Sequence, residues 1–178
     1  MAWVDGSAST SALPWSRESE DVLHHTVTCD SAVLALAVDD VRGRMLVGTQ
    51  QGDIRVWHLP TFEVQADLVG HRSSVLSLVL SDDYVFSASS DSTVRVWDAE
   101  TLQPCACVFP ASTNTGDIYS LAWDAKAQVL YMGCQDTSIE WISITRACLH
   151  EAASAPLWPS DTSYDKFFDS RPRSLWHR

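Results

Sequence analysis

The sequence predicts an all-β fold made of propeller blades, and three observations carry that expectation. Residues 31–59, 73–99 and 116–144 align with one another, and the equivalent Val33, Val75 and Ile118 lie 42 and 43 residues apart. A period of about 40–45 residues is that of a four-stranded blade. Each stretch also breaks into short β-branched and aromatic runs separated by turn residues, the pattern of strands joined by hairpins. Finally, eight tryptophans in 178 residues point to a repeated structural use of that ring.

The elements follow in order. The first strand of each repeat begins at Val33, Val75 and Ile118, with apolar residues dominating both faces. Near-continuous apolar strands suit sheets covered on both sides, as stacked blades are. The second strand spans Met45–Thr49, Tyr84–Ser89 and Val129–Cys134. Tight turns follow at Gln51-Gly52, Asp91-Ser92 and Asp136-Thr137. The third strand is Ile54–Trp57, Val94–Trp97 and Ile139–Ile142, and the fourth falls at Phe62–Leu68 and Cys105–Phe109. The expected organisation is a flexible Ser-rich leader at 1–22, propeller blades at 23–150, and a Pro-broken linker or tail at 151–178. Leu23–Thr28 reads as an outer strand of an incomplete preceding blade. The adjacent His24 and His25 would point to opposite faces of it, a poor chelate.

Bulk properties exclude several function classes. The formal charge is −11, and no Lys/Arg run exists, so a phosphate backbone is repelled and nucleic-acid binding is not expected. The longest clean apolar stretch, Ala32–Val38, has 7 residues, far short of the ~20 that span a bilayer. No signal core is apparent, and a cytoplasmic address is expected. The five cysteines are odd in number, which argues against a disulfide framework, and Cys105-x-Cys107 lacks the two-residue gap of zinc knuckles. No metal site and no cofactor are expected.

The middle repeat holds Gly70-His71, Ser87, Asp91 and Trp97-Asp98. In that spacing it resembles the WD40 repeat family, which implies three recognisable four-stranded repeats of an incomplete WD40 β-propeller ring. The resemblance further implies a buried network in which Asp91 accepts from His71 and from backbone N–H groups, His71 bridges to Ser87, and Ser87 reaches the Trp97 indole. Asp98 is expected at the surface. Flanking repeats are degenerate. Cys29 and Asn114 stand at the His71 position, and Gln51 stands at the Asp91 position, which Asp136 keeps in the third repeat. Trp57 matches Trp97, whereas the third repeat has Ile142 there and Trp141 one place early, on the opposite strand face.

A Ser/His/Asp set also raises a hydrolase reading, with His71, Ser87 and Asp91 as active residues. Ser87 lies inside a strand pattern with no nucleophile elbow, so the structural reading is preferred and no catalytic residue is assigned. A phosphopeptide-reading rim would need Arg42, Arg44, Arg55, Arg72 and Arg95 to converge on one surface.

Three stretches, LVGTQQGDIRVWHLPT, GDIYSLAWDAKAQVLYMGCQDTSI and YDKFFDS, resemble the N-terminal propeller region of the fungal glutathione-degradosome subunit. In that family the propeller precedes a metallopeptidase-like domain. The resemblance implies a role in cytosolic glutathione catabolism, with other protein subunits as partners, an amidotransferase-like subunit among them. No peptidase-like domain is recognised here, so a non-catalytic interaction scaffold is expected. Tyr164, Phe167 and Phe168 are candidate partner contacts, since no repeat position claims these aromatics. Self-association through open blade edges is a further expectation.

Overall fold

A computed structural model describes residues 26–108 and 115–145. The leader, His24 and His25, and the tail with Tyr164, Phe167 and Phe168 lie outside the described residues. Eleven strands occur among those described: β1 Val33–Asp39, β2 Arg44–Thr49, β3 Ile54–His58, β4 Glu63–Leu68, β5 Val75–Leu80, β6 Tyr84–Ser89, β7 Val94–Asp98, β8 Pro104–Val108, β9 Ile118–Asp124, β10 Val129–Cys134 and β11 Ile139–Ser143. They form three antiparallel meanders, β1-β2-β3-β4, β5-β6-β7-β8 and β9-β10-β11. The fold is all-β, made of the blades of an incomplete propeller.

The strand starts at Val33, Val75 and Ile118 stand where the periodicity puts them. Three details differ. The third sheet has three strands among the described residues, not four. Thr26–Thr28, the described part of the expected preceding strand, carries no strand. Phe62 sits in a left-handed turn with φ 55°, and β4 begins one residue later. The expected strand began at Phe62, but its N–H closes the turn instead, donating to the His58 carbonyl.

Alternation along each strand gives every blade two apolar faces. Leu46, Ile54, Val56 and Leu68 on one face of the first blade pack against Val75, Leu78, Val85 and Trp97 of the second. The opposite face of the second blade, with Phe86, Val94, Val96 and Val108, packs on Ile118, Leu130, Met132 and Ile144 of the third. The middle blade is thus covered on both sides, so β7 has four buried residues in its five. The first two blades approach closely at Gly48, where a Cβ would lie 2.7 Å from Val75 Cγ1. We call the face carrying Trp97 in the middle blade the leading face, and the one carrying Val94 and Val96 the trailing face.

Candidate functional site

The middle blade brings His71, Ser87, Asp91 and Trp97 together. Trp97 and Ser87 share the leading face on neighbouring strands, because Val85 is the cross-strand partner of Trp97 and Ser87 lies two residues on. His71 comes from the loop entering β5, and Asp91 from the β6–β7 turn. Trp97 Nε1 donates to Ser87 Oγ at 2.9 Å, Ser87 Oγ lies 2.8 Å from His71 Nε2, and His71 Nδ1 lies 3.0 Å from Asp91 Oδ2. The indole only donates, so Ser87 accepts from it, and the carboxylate only accepts, so the proton shared between His71 and Asp91 sits on Nδ1.

Asp91 closes the turn as well as the chain. Its Oδ1 accepts from the Thr93 N–H at 3.0 Å and the Thr93 hydroxyl at 2.6 Å, and its Oδ2 from the Arg72 N–H at 2.9 Å. Burial pushes this carboxyl upward, but the hydrogen bond and field of His71, followed by Thr93 and Arg72, outweigh it and hold it at about 2. The side chains of His71 and Asp91 are 0% and 8% exposed, and Ser87 is fully buried. A hydrolase needs its nucleophile open to an acyl carbon. Here the Ser87 oxygen is sealed within the sheet and engaged on both sides.

The network also sutures two blades. The Ser74 hydroxyl donates to the Gln50 carbonyl, and Gly52, at φ 98°, lies so close that a Cβ would stand 2.8 Å from the Ser73 carbonyl and 2.9 Å from that of His71. The entry loop that carries His71 therefore rests on the β2–β3 turn of the first blade.

The flanking blades lack the full set. Cross-strand register puts Val47 and Met132 at the Ser87 position, and Trp57 and Ile142 at the Trp97 position. In the third blade Met132 and Ile142 satisfy each other as apolar neighbours. In the first, Val47 leaves Trp57 Nε1 buried without a hydrogen-bond partner among the described residues. Cys29 is half-buried, and Asn114 lies outside the described residues. Asp136 keeps the turn half of the Asp91 role, accepting from the Ser138 N–H and hydroxyl, which lower its exposed carboxyl.

Two devices escape motif reading. Asp98 is no idle surface group: its Oδ1 accepts from the N–H groups of Glu100 and Thr101 and from the Thr101 hydroxyl, which together lower it. Asp in a turn before Thr is the signal that could have found it. The second device is a clamp from the β1–β2 hairpin to the middle blade. Arg44 pairs with Asp39 at 3.0 Å, both buried, and donates to the Ala99 carbonyl, while Arg42 reaches Glu100 at 3.0 Å and the Asp82 carbonyl at 2.8 Å. Arg55 is held by Asp67 and Asp30. Three of the five arginines considered for a basic rim are thus committed to carboxylates. Cys29, Cys105, Cys107 and Cys134 are free thiols, and among the described residues no group of three or more His, Cys, Asp or Glu is placed to hold a metal.

The family model described as the WD domain, G-beta repeat, matches residues 62–98. Residues 62–98 are a WD40 repeat. Its outer strand is β4 of the first sheet and its remaining strands are β5–β7 of the second, so the WD40 sequence unit straddles two blades. Among curated relatives, zinc finger CCCH domain-containing protein 17 of rice is 42% identical over 88 residues, covering 47% of this chain and 19% of its own. The probable di- and tripeptidase DUG2 of Saccharomyces cerevisiae is 28% identical over 162 residues, covering 78% of this chain and 18% of its own. Human kinesin-like protein KIF21A is 29% identical, covering 55% of this chain and 6% of its own. The chain thus spans under a fifth of the length of these relatives. A crystal structure of the computationally designed Ika8 protein matches with a TM-score of 0.55 and 30% identity, over 64% of this chain and 34% of that one.

Proposed function

We propose that this chain is a non-catalytic WD40 scaffold within a subunit of a cytosolic glutathione-degrading peptidase complex. The observation that carries the finer part is the reach of the yeast likeness. The alignment to the probable di- and tripeptidase DUG2 covers 78% of the chain, against 47% and 55% for the rice and human proteins. A likeness confined to WD40 signatures would stop with the blades. In this reading the blades hold partner subunits, an amidotransferase-like subunit among them, and Tyr164, Phe167 and Phe168 are contact residues, since buried aromatics dominate interface energetics. His71, Ser87, Asp91 and Trp97 serve rigidity, because a satisfied buried polar network fixes one geometry.

Calorimetric titration of the purified chain with the amidotransferase-like subunit tests this. Binding is expected, and it weakens when Phe167 and Phe168 are both replaced by Ala. The chain alone is expected to leave glutathione intact. Hydrolysis that disappears in Ser87→Ala would establish the enzyme instead, and absence of binding would remove the assignment to that complex.

A further inference from the structure

The loops that lead into the first and middle blades occupy equivalent places and are anchored very unequally. In the middle blade the loop of His71 to Ser74 is tied down along its length. His71 bonds Asp91 and Ser87, the Arg72 N–H donates to Asp91 at 2.9 Å, the Ser73 carbonyl accepts from the Ser89 hydroxyl at 3.0 Å, and the Ser74 carbonyl accepts from the Ser90 N–H at 3.0 Å. The first blade sets Cys29 to Ala32 in the same register, with Val47, Thr49 and Gln51 in the places of Ser87, Ser89 and Asp91. Only the last of those ties survives, as the Gln50 N–H donating to the Ala32 carbonyl at 2.9 Å. Thr49 Oγ1, the counterpart of the Ser89 hydroxyl, is buried without a hydrogen-bond partner, and so is Trp57 Nε1. Among the described residues, one ion pair stands in for the lost bonds, Asp30 to Arg55 at 3.2 Å, with the Asp30 side chain 84% exposed.

We infer that residues 29–32 form a strap on the first blade, latched by the Asp30–Arg55 pair and poised to lift off it. An exposed ion pair holds weakly, and salt screens it further. Arg55 keeps Asp67 at 3.0 Å when Asp30 leaves, so release strands no guanidinium. Apolar packing adds little, since Cys29 is only half-buried and Asp30 and Ala32 are exposed. The closed strap also carries a cost that the open one sheds. Cys29 enters the blade where His71, in the middle repeat, seals Ser87 and Trp97. Lifting it lets water reach Thr49 Oγ1 and Trp57 Nε1, and a buried polar atom without a partner is costly until water bonds it. The bond from Gln50 to Ala32 lies at the base of the strap and breaks as it lifts. The chain thus holds one entry loop fixed by a buried network and one that ionic strength releases. This inference rests on the fold and stands or falls apart from any role in peptide breakdown.

Native-state amide exchange of the full chain, resolved by NMR, tests it through three N–H groups. Gln50 and Ser90 are equivalent donors to the two entry loops, whereas Thr49 donates to the Asp53 carbonyl within the first blade. Gln50 is expected to exchange at least roughly tenfold faster than Ser90, since local opening sets the rate. Asp30→Asn, a change at an exposed side chain and so compatible with folding, speeds Gln50 further and leaves Thr49 and Ser90 unmoved. Raised salt speeds Gln50 in the parent and has no further effect in Asp30→Asn, whose latch is already gone. Equal rates at Gln50 and Ser90 overturn the strap. So does a Gln50 rate that Asp30→Asn leaves unchanged, which would mean that the ion pair latches nothing. If Thr49 accelerates in step with Gln50, the first blade opens as a whole and the strap is no separate device.

Discussion

Trp57 and Trp97 occupy the same place in consecutive repeats and meet opposite fates. Both rings are buried, but only Trp97 has a serine in reach, and Val47 stands where Trp57 needs one. An unpaired buried N–H already costs about 1–3 kcal/mol, and removing it recovers part of that cost. Trp97→Phe is therefore expected to destabilise more than Trp57→Phe, by about 1 kcal/mol, and urea unfolding of the pair measures the difference. Equal losses would mean that the Trp97 bond contributes nothing. Asp91 gives a second residue-scale expectation, in pH. Its carboxyl falls from 3.8 to about 2 in the folded chain. A depressed acid stabilises fully above its unfolded value and loses that contribution as pH falls through the folded one. Between pH 5 and pH 2.5 the parent should lose about 1.5 kcal/mol relative to Asp91→Asn, which has no proton to take up there. An unchanged gap between the two would show that Asp91 is not held down by its neighbours. The four network residues were legible because GH, Ser, Asp and WD keep their spacing. The Asp39–Arg44 clamp was not, since ordinary surface-type residues make it and only the packing of two blades buries it, and the Asp98 turn was passed over because Asp98 was read only as the surface half of the WD pair.

At the scale of elements, the three turns between the second and third strands share one geometry built from different residues. Gly52, Ser92 and Thr137 all take positive φ, at 98°, 62° and 72°. In each, the N–H of the last strand residue bonds the carbonyl four on, as Thr49 does to Asp53, Ser89 to Thr93 and Cys134 to Ser138. Ser92 and Thr137 follow Asp residues whose carboxylates bind the next N–H. Gln51 precedes Gly52, and glycine relaxes the backbone instead. Space matters as well as φ at Gly52, because the His71 and Ser73 carbonyls close over it. Gly43 has φ 60° but open surroundings. Gly52→Ala is thus expected to cost about 2 kcal/mol or more and Gly43→Ala about 1 kcal/mol. Thermal melts of the two variants check the order, and a milder effect at Gly52 would mean that the two blades are not in contact there. Turn positions were readable from Gly and Asp in the sequence. That one turn serves as the seat of the next repeat's entry loop was not, because the contact joins Gly52 to residues of another blade.

For the whole molecule, stability follows from how many faces of each sheet are covered. Repeat periodicity showed three sheets and their strand starts, since near-continuous apolar runs recur 42 and 43 residues apart along the chain. It could not show which faces meet, because Trp141 and Ile142 are both large and apolar, and only register decides that Ile142 points to the second blade. In stacked repeats, stability is close to a sum of each unit's own and its neighbour interfaces, and among the described residues the second blade has two such interfaces where the first and third have one each. Local opening tracks buried apolar contact. Native-state amide exchange should therefore be slowest in β6 and β7, whose side chains are almost all buried, and fastest among strand amides in β11, where Ile139 and Trp141 face outward. β2 and β3 should fall between, tied to the second blade by Leu46, Ile54 and Val56 and by the Arg44 clamp. The ranking is measured at a chain concentration low enough to exclude association, since covering the third blade with a second copy would slow β11. A single exchange rate across all three sheets would mean that the blades open as one cooperative body and that face coverage does not set their order.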